Sequence, residues 1–195
     1  SSINEGINKL LSNKTMMKEV CDILSYNYKH IEFIDKKVDL GFDCPLDLHC
    51  DYTTDVIMAA FGYFNEEKKP AFREGVKYFE DKKMDIFFIT LNKSDKDFSP
   101  STLYEDYAIN EKLFHWQTQS KTSIQSTTGQ RYINHLKTGN KIALFVREYK
   151  TRDGLTSPFT YLGTCEYRSH SGDKPISFVW ELHEEIPASM INKAN

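Results

Sequence analysis

The sequence predicts an α+β fold: a small helical subdomain over residues 1–68, then a mainly antiparallel, barrel-like sheet over residues 69–195. Three observations carry this reading. Near the N-terminus apolar residues recur at every fourth position, the spacing of one helix face. From about residue 72 onward, short segments alternate apolar and polar, the period of a half-buried strand. Turn-forming residues separate these segments at short intervals, as in small barrels and strongly bent sheets.

The elements follow in chain order. Ser12 or Asn13 caps a helix in which Met16, Val20, Leu24 and Tyr28 form one stripe. An irregular stretch from Asp39 to Pro45 leads to a second helix near Thr53. Asp55 sits in its first turn, where a carboxylate suits the helix dipole, and Gly62 ends it. Glu66-Glu67-Lys68-Lys69-Pro70 marks the boundary between the two parts. Val76 to Phe79 and Met84 to Leu91 flank a charged turn at Asp81-Lys82-Lys83 and read as a hairpin. Ile86 to Ile89 is apolar on both faces, as in a central buried strand.

After Lys112, Phe114, Trp116 and Thr118 alternate with Leu113, His115, Gln117 and Gln119. A short helix is expected from Gln130 to Lys137, closed by Gly139. Lys141 to Tyr149 alternates again, with Ile142, Leu144 and Val146 on one face. Phe159 to Tyr167 and Ile176 to Leu182 form a further pair, joined by a polar turn from Ser169 to Asp173. In its second strand Ile176, Phe178, Trp180 and Leu182 share a face.

Composition narrows the function. No apolar run approaches the roughly 20 residues a membrane helix needs, and no signal peptide opens the chain, so no membrane partner is expected. Ser1-Ser2-Ile3-Asn4 lacks an initiator methionine, as a fragment of a longer protein would. Cys21, Cys44, Cys50 and Cys165 show no CxxC spacing. Cys44 and Cys50 flank His49, but no second ligand pair accompanies them, so they read as free thiols of a cytoplasmic protein. Walker, dinucleotide-binding, HExxH and GxSxG motifs are absent, and the six histidines show no metal spacing. A binding domain with no catalytic residue, metal or cofactor is therefore expected.

The net charge of −3 argues at first against nucleic acid, but its distribution does not. Residues 1–70 hold 8 basic against 12 acidic side chains, and residues 71–195 hold 17 against 16. Within the second part, residues 121–152 carry seven basic side chains against Glu148 alone. Such a local basic segment suits a phosphate backbone met at one face; a solvated surface is the plainer alternative. The backbone contacts are assigned to Arg131, Lys141, Arg147, Lys150 and Arg152. In Arg147, the strand position also allows pairing with a buried acid.

The segment from Ser94 to Gln119 sets aromatic rings among groups that donate and accept hydrogen bonds, which a pocket for a flat heterocycle requires. Tyr104, Asp106, Tyr107, His115 and Gln117 form the expected pocket for a modified base, with Trp116 in support. Clean alternation favours Phe114 and Trp116 as core residues of one strand face.

Several runs carry a family resemblance: Tyr52-Thr53-Thr54-Asp55, Arg73-Glu74-Gly75-Val76, Phe87 through Ser94, and Phe98 through Ile109. Leu113 through Gln117, Thr128 through His135, and Leu144 through Glu148 complete it. Over roughly residues 50–190 the chain resembles the C-terminal domain, long of unknown function, of bacterial phospholipase-D-nuclease/helicase fusions, the SauUSI-like type IV modification-dependent restriction enzymes. The resemblance implies a fold similar to SRA and PUA-like barrels. It also implies recognition of double-stranded DNA carrying a modified base, 5-methylcytosine above all, with cleavage and ATP hydrolysis left to the nuclease and helicase domains of the parent polypeptide. It assigns no pocket residues. A protein-interaction or autoinhibitory domain that restrains the helicase without touching DNA is the competing expectation.

Overall fold

The computed structural model describes residues 2–29, 36–64, 72–93 and 106–191. Two compact units divide the chain, residues 1–35 and 36–195. The stretch from Lys36 to Phe64, which the sequence groups with the helical part, thus belongs to the unit that holds the sheet.

The first unit is a pair of helices, α1 (Ile3–Ser12) and α2 (Lys14–Lys29). The sequence reading assigns no element to α1, yet a capping box starts it: the Ser2 hydroxyl accepts from Glu5 N while Glu5 bonds back to Ser2 N. Asn13 ends α1, and its Oδ1 accepts from Met16 N at 3.1 Å to open α2 as expected. α1 buries nothing; Ile3, Ile7 and Leu11 stand exposed on one stripe, as do Met16, Ile23 and Leu24 of α2.

The second unit begins with β1 (Asp51–Tyr52) and α3 (Thr54–Ala60), which Thr53 caps and Gly62 follows with φ of 75°. The hairpin β2 (Val76–Phe79) and β3 (Met84–Asn92) comes next, with β4 (Tyr107–Ala108) and β5 (Leu113–Gln117) after it. The single short helix expected here is two: α4 (Thr127–Ile133) and α5 (His135–Thr138), broken at Asn134 and closed by left-handed Gly139. Then follow β6 (Lys141–Tyr149), a small separate ribbon of β7 (Thr151–Arg152) and β8 (Leu155–Thr156), β9 (Phe159–Ser171), β10 (Ser177–Leu182) and α6 (Ala188–Ile191). β9 runs into the turn read from the sequence, to Ser171. Ser171 and His170 pair with Ser177 and Phe178, so the reversal shifts onto Gly172 and the residues after it.

The fold is α+β with a mixed, mostly antiparallel sheet of order β2-β3-β6-β9-β10-β5-β4, β1 pairing with β9. One pair departs from the antiparallel expectation: β3 and β6 run parallel, from Met84↔Lys141 to Asn92↔Tyr149. The chain builds β4, β5, α4 and α5 between them, the long crossover a parallel pair requires. Among the described residues no closed barrel forms.

Burial follows the alternation. Phe87, Ile89 and Leu91 of β3 enter one core with Phe114, Trp116, Phe178 and Trp180. Ile86 of β3 and Phe145 of β6 enter a second, which Ile57 and Met58 of α3 and its C-cap Phe61 cover. β3 and β6 are thus apolar on both faces because both faces are buried. Gly163 lets β9 bend between the two layers: its φ is +86° at the register shift beside Leu144, and a Cβ there would meet Leu48 Cδ1 at 3.0 Å.

Candidate functional site

The two ends of the strand order approach each other at a seam. β3 runs on into Lys93, and Asp106 immediately precedes β4. Lys93 Nζ lies 2.6 Å from Asp106 Oδ2, the two side chains being only 10% and 2% exposed, so this ion pair is largely withdrawn from water. Asp106 Oδ1 accepts from Gln117 N at 3.0 Å, fastening the end of β5 to the same carboxylate. Across the seam Trp116 of β5 stacks on Phe87 of β3, centroids 4.2 Å apart. Burial pushes the Asp106 carboxyl above its usual range, against the pull of the Lys93 ammonium.

Over this ion pair opens a cavity of about 300 Å³, lined by Lys93, Asp106, Trp116, Gln117, Phe88 and Thr90 among others. Arg73, Glu74, Gly75, Phe88 and Thr90 also line a second hollow of about 620 Å³, where Arg147, Lys150 and Phe159 join them. On the other side Glu74, Val76, Trp116 and Gln119 are shared with a third, of about 380 Å³. The three form one groove along β2 and the segment leading into it.

The expected pocket residues separate here. Asp106, Trp116 and Gln117 line the seam cavity. Tyr107 and His115 are direct partners across β4 and β5, and their rings stack at 4.7 Å on the outward face. They line none of the three hollows, because adjacent strand residues point to opposite sides and the inner side is held by Ala108, Phe114 and Trp116. Tyr104 lies outside the described residues. Trp116 is 6% exposed, so it is first a core residue and offers the cavity only part of its surface. Gln117 is anchored as well, donating from Nε2 to Ser177 Oγ at 2.8 Å.

The basic side chains separate too. Arg147 donates from Nε to Thr90 Oγ1 at 3.0 Å and from Nη1 to Ser157 O at 3.2 Å, with its guanidinium over the Phe159 ring. It lines the large hollow together with Lys150. Arg152 is exposed on β7 and shares with Arg147 a fourth concavity beside the ribbon. Lys141 donates to Asp39 O at 3.1 Å, apart from the groove-lining residues. Arg131 grips buried Asp85 with two hydrogen bonds, Nε to Oδ2 at 2.8 Å and Nη2 to Oδ1 at 2.9 Å.

Lys93, Arg73, Thr90 and Phe88 were not singled out by sequence reasoning. A signal existed, since Arg73-Glu74-Gly75-Val76 and Phe87 through Ser94 are among the runs that carry the resemblance. Only the fold shows that they meet Asp106 and Trp116.

Fold and site together define an α+β domain with a mixed sheet, whose open seam carries a polar, aromatic-walled groove. The chain belongs to the family described as a domain of unknown function (DUF3427), which it matches over residues 46–194. No curated protein matches it. Among the described residues no helix is long and apolar enough to cross a membrane.

Proposed function

We propose that this domain reads modified DNA, with 5-methylcytosine the foremost mark, as the specificity module of a SauUSI-like type IV restriction enzyme acting in the cytoplasm. The observation that carries the reading is the seam cavity. At one spot it sets a carboxylate beside an ammonium, in a cavity that Trp116 and Phe88 also line. Cytosine offers the matching edge: an amine that donates, and ring acceptors beside it. The sheet whose ends approach at this seam is the form we read as an opened SRA/PUA-like barrel.

A base reaches such a cavity by leaving the stack, which costs a few kcal/mol that stacking and hydrogen bonds offset. The methyl group alone contributes about 0.8 kcal/mol, less than tenfold, so selectivity needs shape rejection or coupling to the helicase. Backbone phosphates fall to the neighbouring hollow, which Arg73, Arg147 and Lys150 line together with Glu74. Arg147 is pre-positioned there by Thr90, Ser157 and Phe159, and Arg152 extends the cationic side.

The test is fluorescence anisotropy with paired methylated and unmethylated duplexes of varied sequence. Methylated duplexes should bind several-fold more tightly, and replacing Lys150 by Ala should weaken both members of a pair alike and lower the salt slope by about one. Equal affinity for every pair sinks the reading. A second reading draws on the first unit, where Ile3, Ile7 and Leu11 leave an apolar stripe exposed: a docking or autoinhibitory role toward the parent helicase. Binding to the helicase core with none to DNA would favour it.

A further inference from the structure

Arg131 is held as no surface-gripping arginine is. Asp85, wholly buried on β3, takes Nε and Nη2 of the guanidinium side-on and also accepts from Asn140 Nδ2 at 2.9 Å. The guanidinium carbon lies 4.0 Å from the Tyr78 ring centroid, so one face is covered as well. α4, which carries it, is itself pressed into place. A Cβ at Gly129 would stand 2.2 Å from Ser123 O, closer than any side chain allows.

A guanidinium has five N–H donors in a rigid plane. With the side-on pair committed to Asp85, one of the three remaining N–H groups has the Tyr132 hydroxyl as its partner, which leaves two for the end of the fork. The side chain is 20% exposed while its carboxylate is sealed, and it lines the hollow of about 380 Å³ that adjoins the seam cavity. Lys121, Thr122, Thr128 and Gln119 line the same hollow, a donor-rich surrounding.

We infer that Arg131 is a second recognition point of the groove, taking a group with two hydrogen-bond acceptors side by side: a phosphate, or the O6/N7 edge of guanine next to the modified base. This rests on the nucleic-acid reading above. The clamp fixes the fork before the ligand arrives, so two hydrogen bonds form with little ordering of the side chain. Lysine keeps the charge and the Asp85 contact but loses the planar fork.

Arg131→Lys, first checked for an unchanged melting curve, decides between the sources on methylated duplexes varied at each base flanking the mark. If the fork reads guanine, the wild-type chain prefers guanine at one flank by on the order of tenfold and the variant loses that preference while keeping its preference for methylation. If it meets a phosphate, the variant weakens on all duplexes equally with its flank preference unchanged, and because lysine keeps the charge its salt slope changes little. Unchanged affinity, flank preference and slope in the folded variant overturn the inference. Should the variant fail to fold, or the wild-type chain bind no duplex, the wild-type chain is titrated with inorganic phosphate and with deoxyguanosine. Trp116 borders the same hollow, so a saturable fluorescence change with one of them supports the site, and two flat titrations at millimolar ligand overturn it.

Discussion

Asp106 and Asp85 are both buried carboxylates that answer a basic side chain, but they are held in opposite ways. Asp85 is gripped by a two-pronged arginine and a buried asparagine, three donor atoms in all. Asp106 receives one lysine and one backbone N–H, and it ties the residue after β3 to the end of β5, two strands that do not pair with each other. The first arrangement behaves as a fixed strut. The second is a joint in the floor of a cavity, where burial and the lysine pull the carboxyl in opposite directions. The difference teaches that buried charge marks function less by its presence than by how far its hydrogen-bonding capacity is used up.

Breaking the strut should produce the largest effect. Asp85→Ala strands Arg131 and Asn140 without their acceptor, and a loss of about 3–5 kcal/mol is expected in urea unfolding. A loss below about 1 kcal/mol would mean that Arg131 finds water instead and that Asp85 is no fixed strut.

The joint gives an intermediate effect with a distinctive pH dependence. The folded-state carboxyl of Asp106 lies above its ordinary 3.8, so between that value and its raised one the folded protein binds more protons than the unfolded. On this group's account stability is present below 3.8 and is lost as pH rises through the folded value. Asp106→Asn cannot titrate. The stability of wild type minus variant should therefore fall with rising pH across that window, read from melting curves in matched buffers. A difference that rises with pH would show the Lys93 pair outweighing burial. The same variant should narrow the ratio between methylated and unmethylated DNA.

The smallest effect belongs to the outward face of the same strands. Tyr107→Ala removes a ring stacked on His115 in the open and should cost less than about 1 kcal/mol, leaving the methylation ratio intact. If Tyr107→Ala abolishes the ratio while folded, the reading surface is the outward face and not the seam.

Local pattern made much of the fold legible. Period-two alternation placed Ile176, Phe178, Trp180 and Leu182 on one buried face, and all four are buried. Asn13 and Thr53 announced their helices because a cap acts on N–H groups two or three residues away. The turn at residues 81–83 and the closing Gly139 are equally local. Of the pocket, alternation already separated Trp116 from its neighbours as a core residue.

What depended on the closing of the sheet was not legible. Arg131 meets Asp85 from 46 residues away, and Lys93 meets Asp106 across 13. No periodicity records such a separation. The parallel run of β3 and β6 has the same origin, since strand direction follows from where the crossover lands. The division of Asp106 and Trp116 from Tyr107 and His115 needed both the pleat and the knowledge of which face the core would claim. For the longer strands and for α2 and α3 the sequence by itself determined which residues form the element and which side of it is apolar, because those preferences act over a few residues. Which charges meet, and that they meet along an open seam, only the tertiary structure decided, because bringing distant segments together is settled by the burial of the whole core and not by any one segment.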